Sequence, residues 1–150
     1  MRRIVEYRKL LGVTKETSLK DMKTIYRNLM KEFHPDKIQD NEELKLEVEE
    51  KSKKIILAYD FLTSIAPETI EATLPEYTET ITNSNIVDYQ YKAQVLTVEF
   101  SNGSKYEYYG VTPVVYSKMV NSGAISRFAR RNIFTTFVYR QTLKPVEVEG

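Results

Sequence analysis

In the first 64 residues, apolar side chains recur every three or four positions, which is the period of an amphipathic helix. The stretch "SLKDMKTIYRNLMKEF" begins with Ser18, a favourable N-cap residue, and has Asp21 three positions later. Its apolar side chains fall on one arc of about 140°: Leu19, Met22, Ile25, Tyr26, Leu29, Met30 and Phe33. A basic stripe lies within about 80° on the opposite side: Lys20, Lys23, Arg27 and Lys31. The pattern therefore predicts a helix with one buried face and one basic face.

Two further helices are predicted on either side of this one. "IVEYRKLLGV" indicates a short helix that ends at Gly12 and is anchored by Ile4, Val5, Leu10 and Leu11. A third helix runs from about Glu42 to Thr63, and Ser52 interrupts its apolar side. That side comprises Leu44, Val48, Ile55, Ala58, Tyr59 and Leu62. The two long helices are expected to form an antiparallel hairpin with His34-Pro35-Asp36 at its bend.

The second half of the chain has the alternation and the β-branched and aromatic content of strands. Four stretches carry this signal: "IVDYQY", "QVLTVEF", "SKYEYY" and "FTTFVYR". Before the last of them, Thr112 as cap, Pro113 and Gly123 delimit one helix, with Val115, Tyr116, Met119 and Val120 as packing residues. The predicted fold is α+β: an N-terminal helical hairpin, then a small antiparallel sheet with one helix in the order β-β-β-α-β.

The hairpin at "SNGS" has two alternative registers. A three-residue loop with Gly103 in the left-handed region sets Val98 opposite Tyr106 and Leu96 opposite Tyr108. A two-residue Asn-Gly loop would instead set Val98 against Glu107. The first register sorts the faces by polarity and is preferred, so we expect Tyr106 and Tyr108 in the core.

The distribution of charge divides the chain into segments. Residues 1–64 carry a net charge of +2, residues 65–82 a net of −4 without any Lys or Arg, and residues 83–150 a net of +3. We therefore expect one domain at 1–64, an acidic linker at 65–82 with at most a short helix beginning near Pro67, a second domain at 83–143 and a tail at 144–150.

Composition excludes several classes of site. The chain has no cysteine and one histidine, which excludes disulfides and thiolate ligands and makes a zinc site or another bound cofactor unexpected. No apolar run is long enough to span a bilayer, and "MRRIVEY" lacks the apolar core of a secretory signal. We expect a cytoplasmic protein that does not enter membranes.

The single histidine is the first residue of "HPD". Pro35 prevents the helical turn that would stack His34 on Asp36, and no nucleophile or glycine-rich loop lies beside them. The residues alone favour a helix end in which His34 lies near the last carbonyls, with surface recognition as an alternative and catalysis least supported.

Residues 4–64 resemble a J-domain, the module of DnaJ-type co-chaperones, through "LLGV", "IYRNLMKEFHPDK" and "AYDFLTS". The resemblance implies docking on a DnaK-type chaperone, whose ATP hydrolysis the J-domain accelerates, rather than catalysis by this chain. The implied contact residues are Lys23, Tyr26, Arg27, His34, Pro35 and Asp36. Two positions depart from the family pattern: Asn28, where a basic residue is usual, and Ser52, where an apolar residue is usual.

Residues 83–141 resemble the KTSC domain through "LTVEFSNGSKYEYYGV", "VYSKMV", Arg127-Phe128 and "NIF". RNA binding has been suggested for that family. With Tyr106 and Tyr108 in the core, the surface candidates for RNA or a protein partner are Tyr109, Lys105, Lys118, Arg127, Arg130 and Arg131. The leading hypothesis is a co-chaperone in which this half is a targeting or client-binding module. The alternative is a nucleic-acid-binding protein that uses the J-like half as a scaffold.

Overall fold

A computed structural model describes residues 2–34 and 40–145 of the chain. The chain divides into two compact units, Arg2–Glu71 and Ala72–Gly150, which are described separately below. In the described part, six helices and four strands follow the order α1-α2-α3-α4-β1-β2-β3-α5-α6-β4. The predicted α+β class is therefore confirmed.

The N-terminal unit is built from α1 (Arg2–Leu11), α2 (Leu19–Glu32), α3 (Glu42–Ser64) and the beginning of α4 (Pro67–Asn83). Gly12 ends α1 with φ of +71°, a left-handed conformation that glycine adopts without steric cost. Ser18 caps α2 and Asn41 caps α3, where its side chain accepts a hydrogen bond from the Leu44 N–H. Each helix thus begins or ends where the sequence indicated, within two residues.

The core of this unit lies where α3 packs against α1 and α2. Its buried apolar residues include Ile4, Leu11, Met22, Ile55, Ala58, Phe61 and Leu62. Two predicted core residues are wrong: Val5 is 48% exposed and Leu44 is 43% exposed. Phe61 was missed, and its ring meets Tyr7 of α1 edge-on at 5.4 Å between ring centres. Phe61 is buried because α3 packs against α1 as well as against α2, which makes the buried arc of α3 wider than one stripe. The buried apolar residues of α3 all lie in its second half, so Leu44, near its start, remains exposed.

The C-terminal unit is an antiparallel sheet with strand order β1-β2-β3-β4. The strands are β1 (Ile86–Lys92), β2 (Val95–Phe100), β3 (Lys105–Tyr109) and β4 (Val138–Leu143). Two helices, α5 (Pro113–Val120) and α6 (Ile125–Asn132), connect β3 to β4. The sequence predicted one helix between these strands, whereas the structure has two. Val120 was predicted to pack but is 40% exposed, because it is the last residue of α5.

The β2–β3 hairpin has the preferred register. Val98 lies opposite Tyr106 and Leu96 opposite Tyr108, while Gly103 has φ of +90°. The Phe100 N–H donates to the Ser104 carbonyl across the loop at 2.9 Å. The prediction that Tyr106 and Tyr108 are core residues is confirmed, since both are buried.

Helix α4 occupies nearly all of the segment that was expected to be a linker. It begins at Pro67 as predicted, but it continues through Pro75 to Asn83 and is 17 residues long instead of short. Its second half carries Tyr77, Thr80 and Ile81 into the core of the C-terminal unit. Burial of these residues outweighs the roughly 3 kcal/mol that an internal proline costs a helix.

Candidate functional site

Helix α2 carries the basic stripe on its exposed side. Met22 is buried, and Ile25, Tyr26, Leu29 and Met30 are half-buried on the packed side. Lys20, Lys23, Arg27 and Lys31 are all exposed. The separation of faces that the sequence predicted for this helix is confirmed.

Tyr26 lies at the edge between the two faces. Its ring stacks on the ring of Tyr59 in α3, with 4.0 Å between ring centres and 17° between ring planes. One face of Tyr26 is therefore occupied within the hairpin, and a partner can reach only the rest of the ring. The predicted contact residue also holds α2 against α3.

The first turn of α2 has two acceptors for its free N–H groups. The Ser18 Oγ accepts from the Asp21 N–H at 3.1 Å, and Glu68 Oε1 accepts from the Leu19 N–H at 2.9 Å. A carboxylate at this end also complements the positive end of the helix dipole. The sequence identified Ser18 but gave no signal for Glu68, because 49 residues separate it from Leu19.

The last turn of α2 leads to His34. Phe33 is the C-cap residue, and its N–H donates to the Leu29 carbonyl at 2.9 Å. Lys51 of α3 places its Nζ 4.3 Å from the centre of the Phe33 ring, a contact that the sequence did not predict. His34 follows and is exposed, whereas Pro35 and Asp36 lie outside the described residues.

A shallow groove of about 640 Å³ runs beside the basic stripe within the N-terminal unit. It is lined by Leu19, Lys20, Lys23, Tyr59, Asp60, Thr63, Ser64 and Thr69. The groove combines two lysines and one carboxylate, and no group of three or more metal-ligating side chains occurs in the described ranges.

On the face of the sheet that carries Lys105, the charged side chains of neighbouring strands lie opposite charges of the other sign. Lys105 lies opposite Glu99, and Glu107 lies opposite Arg140, so positive and negative side chains alternate across neighbouring strands. The tyrosines of β1 and β3 that share rows with Leu96 and Val98 belong to the other, packed face. Lys105 is therefore set among carboxylates rather than in a basic surface.

Tyr109 was expected at the surface, and this prediction is wrong. The residue is only 2% exposed. It lies on the inner strand β3, with Val95 of β2 and Val138 of β4 as its neighbours on the two sides. As the last residue of an inner strand, Tyr109 has a strand on each side, a position that alternation along β3 does not reveal.

The three arginines of α6 have different environments. The Arg130 Nε donates to the Ile81 carbonyl in α4 at 2.8 Å, so this side chain holds two helices together. Arg127 and Arg131 are exposed, one helical turn apart, and neither makes a side-chain hydrogen bond or ion pair within the described part of the chain. Lys118 is exposed in the last turn of α5.

A tyrosine cluster fills the core beneath α4. The Tyr77 ring stacks on Tyr139 at 3.8 Å, and its hydroxyl lies 2.9 Å from the hydroxyl of Tyr108. Desolvation by burial raises the pKa of Tyr77 and of Tyr108 well above the usual range. Burial, with Glu76 nearby, raises the pKa of Tyr106 to about 12. These groups stay neutral and serve packing.

Comparison with known proteins gives two family matches in separate parts of the chain. Residues 6–68 match the DnaJ domain, and residues 82–137 match the KTSC domain. Among the residues that the structure describes, no helix is both long and apolar enough to cross a membrane.

Curated relatives match about two fifths of the chain. "Chaperone protein DnaJ" of Thermoplasma volcanium is 45% identical over 58 residues, which is 39% of this chain and 15% of the relative. "DnaJ homolog subfamily B member 6" of Gallus gallus is 40% identical over 60 residues, which is 40% of this chain and 18% of the relative. This chain thus spans less than a fifth of the length of either relative. It carries a DnaJ domain at residues 6–68 followed by a KTSC domain at residues 82–137.

Proposed function

We propose that the DnaJ domain of this chain docks on a DnaK-type chaperone and stimulates that chaperone's ATP hydrolysis. The docking surface comprises the basic stripe of α2 and the loop that begins at His34. The observation that carries the proposal is the exposure of Lys20, Lys23, Arg27 and Lys31 on one side of α2, next to an exposed His34. In this proposal ATP is hydrolysed by the partner chaperone, and this chain itself acts without a cofactor. The two proteins meet in the cytoplasm.

The arrangement of α2 supports docking in two ways. Two caps at its first turn and the Tyr26–Tyr59 stack hold the helix in place before a partner arrives, so little ordering entropy is lost on binding. The unbroken row of positive charge favours an acidic surface and accelerates encounter.

Steady-state ATP hydrolysis by a DnaK-type chaperone tests the proposal. Added wild-type chain should raise the rate, and His34→Gln should remove most of the increase while leaving the fold intact. Asn28→Gln, an exposed change on the same helix, is the matched control and should stimulate like the wild type. Absence of stimulation by the wild type, or equal stimulation by His34→Gln, would contradict the proposal.

The KTSC domain has the role of a targeting or client-binding module in this proposal. Three exposed basic residues of this domain support that role: Lys118, Arg127 and Arg131. The alternative is an RNA-binding role. Fewer basic and aromatic side chains are available for RNA than the sequence suggested, since Tyr109 is buried and the Arg130 Nε donates to the Ile81 carbonyl. Retention on an RNA pool that weakens steeply with salt and is lost in an Arg127→Ala/Arg131→Ala variant would favour that alternative.

A further inference from the structure

We propose that Lys51 is a positioning residue for His34, the first residue of the proposed docking surface after α2. Its ammonium group, lying over the Phe33 ring, fixes the point at which the chain leaves α2 and reaches His34. The consequence for activity rests on the proposed docking function, whereas the effect on His34 itself can be measured without a partner.

The loop end of the α2–α3 hairpin has little packing of its own. From Glu42 to Lys51 no residue of α3 is buried, and Leu46 is 61% exposed. The first buried residue along α3 is Ser52, a small polar side chain that supplies little apolar contact and whose Oγ donates to the Glu49 carbonyl of its own helix. Burial of apolar surface stabilises the other end of the hairpin, but it contributes little stability at the end that carries His34.

The contact between Lys51 and Phe33 supplies an anchor at this end. The ring centre is 4.3 Å from the Lys51 Nζ, inside the range of about 6 Å in which a cation over an aromatic face is attracted to it. Phe33 has already left helical geometry, with φ of −108° and ψ of 27°, so its ring is the last feature of α2 that α3 can hold. Because His34 is bonded directly to Phe33, a change in the backbone dihedrals of Phe33 displaces His34, and a ring held by α3 restrains such a change.

A cation is suited to this position because the site is open to solvent. Phe33 is half-buried and Lys51 is exposed, so an apolar partner would gain little from burial there. The attraction between an ammonium group and an aromatic face persists at exposed sites. It changes the equilibrium between the state with the contact and the state without it by about two- to fivefold. The contact between Lys51 and Phe33 therefore acts on the orientation of His34 as one weak, local restraint.

Magnetic resonance can detect the effect directly, because His34 is the only histidine and its imidazole C–H signals need no assignment among others. Lys51→Met retains the aliphatic stem and removes the charge, and it should shift or broaden these signals. Lys51→Arg keeps a cation over the ring and should restore them. Lys53→Met removes the same charge from an exposed site on the same helix and should leave the His34 signals unchanged.

The same variants should differ in chaperone stimulation. We expect Lys51→Met to raise the chain concentration needed for half-maximal ATPase stimulation by about two- to fivefold, with recovery in Lys51→Arg and no change in Lys53→Met. His34 signals in Lys51→Met that match the wild type would overturn the inference, as would equal losses in Lys51→Met and Lys53→Met. If the wild type stimulates no chaperone, the docking function fails, but the resonance experiment still decides the role of Lys51.

Discussion

The Tyr77 hydroxyl donates a hydrogen bond to the backbone carbonyl of Phe134 at 2.6 Å, which joins α4 to the turn after α6. The Tyr108 hydroxyl, 2.9 Å away, then serves as donor to Tyr77, so one phenol is donor and acceptor in the core. Tyr108 and Phe134 are both buried, so water cannot replace the hydrogen bond that either of them makes to Tyr77.

Replacement of Tyr77 by phenylalanine should therefore destabilise the C-terminal unit by about 1–3 kcal/mol, because it strands a buried hydroxyl and a buried carbonyl. Urea titration followed by near-ultraviolet circular dichroism would measure the change. Tyr89→Phe is the control, since the Tyr89 hydroxyl makes no hydrogen bond within the described residues. Equal stabilities for the two variants would show that the network contributes nothing.

Alkaline pH should unfold this unit. Burial raises the folded-state pKa of Tyr77, Tyr106 and Tyr108 above the usual 10.0, so above that pH the unfolded state releases protons that the folded state retains. Stability is then complete below pH 10 and decreases above it, by about 1.4 kcal/mol per pH unit for each such tyrosine.

For Tyr106 the loss should continue to its folded pKa of about 12. Tyrosinate absorbance and circular dichroism during a pH titration would follow the two events together, and Tyr106→Phe should make the dependence shallower. A free energy of unfolding that stays constant from pH 10 to pH 12 would refute this account.

Arg130 and Arg131 are adjacent but should respond differently to alanine. Arg130→Ala removes the hydrogen bond to the Ile81 carbonyl and should destabilise the C-terminal unit by about 1 kcal/mol. Arg131→Ala removes an exposed side chain and should change stability by less than about 0.5 kcal/mol. Thermal denaturation of the two variants gives the comparison, and similar melting temperatures would argue against the structural role of Arg130.

Charge reversal on α2 should slow chaperone binding in a salt-dependent way. For Lys23→Glu/Arg27→Glu we expect an association rate with a DnaK-type chaperone on the order of tenfold below the wild type at low salt. The difference should shrink as salt screens exposed charges. Lys45→Glu/Lys53→Glu on α3 makes the same change in net charge and should retain the rate, which stopped-flow fluorescence of a labelled chain can check.

The parts of the fold that were predictable are those with local signals. The Ser18 and Thr112 caps, Gly12 and the "SNGS" loop each determine backbone geometry within a few residues. The hairpin register followed from that loop together with the sorting of the two faces by polarity. The basic stripe was equally predictable, because helical period alone separates the faces of α2.

The features that were missed depend on contacts distant in sequence. Helix α6 has Ala124 at its N-cap position without a side-chain cap and only eight residues, so its formation depends on packing of Ile125, Phe128 and Ala129 in the core. The Glu68–Leu19 and Lys51–Phe33 contacts likewise link segments that no periodicity relates. Helix α4 continues through Pro75 because Tyr77 and Ile81 are buried, which depends on a sheet that follows it in the chain.

The second half of α4 bears on how this domain can be moved between proteins. The KTSC match begins at residue 82, yet Tyr77, Thr80 and Ile81 lie in the core of the same unit, and the Asn102 amide donates to the Thr80 hydroxyl at 3.1 Å. A graft of residues 82–137 would leave these partners behind, together with all of β4. The transplantable module in this chain is therefore residues 72–143, and a fusion joint or a truncation is best placed before Ala72.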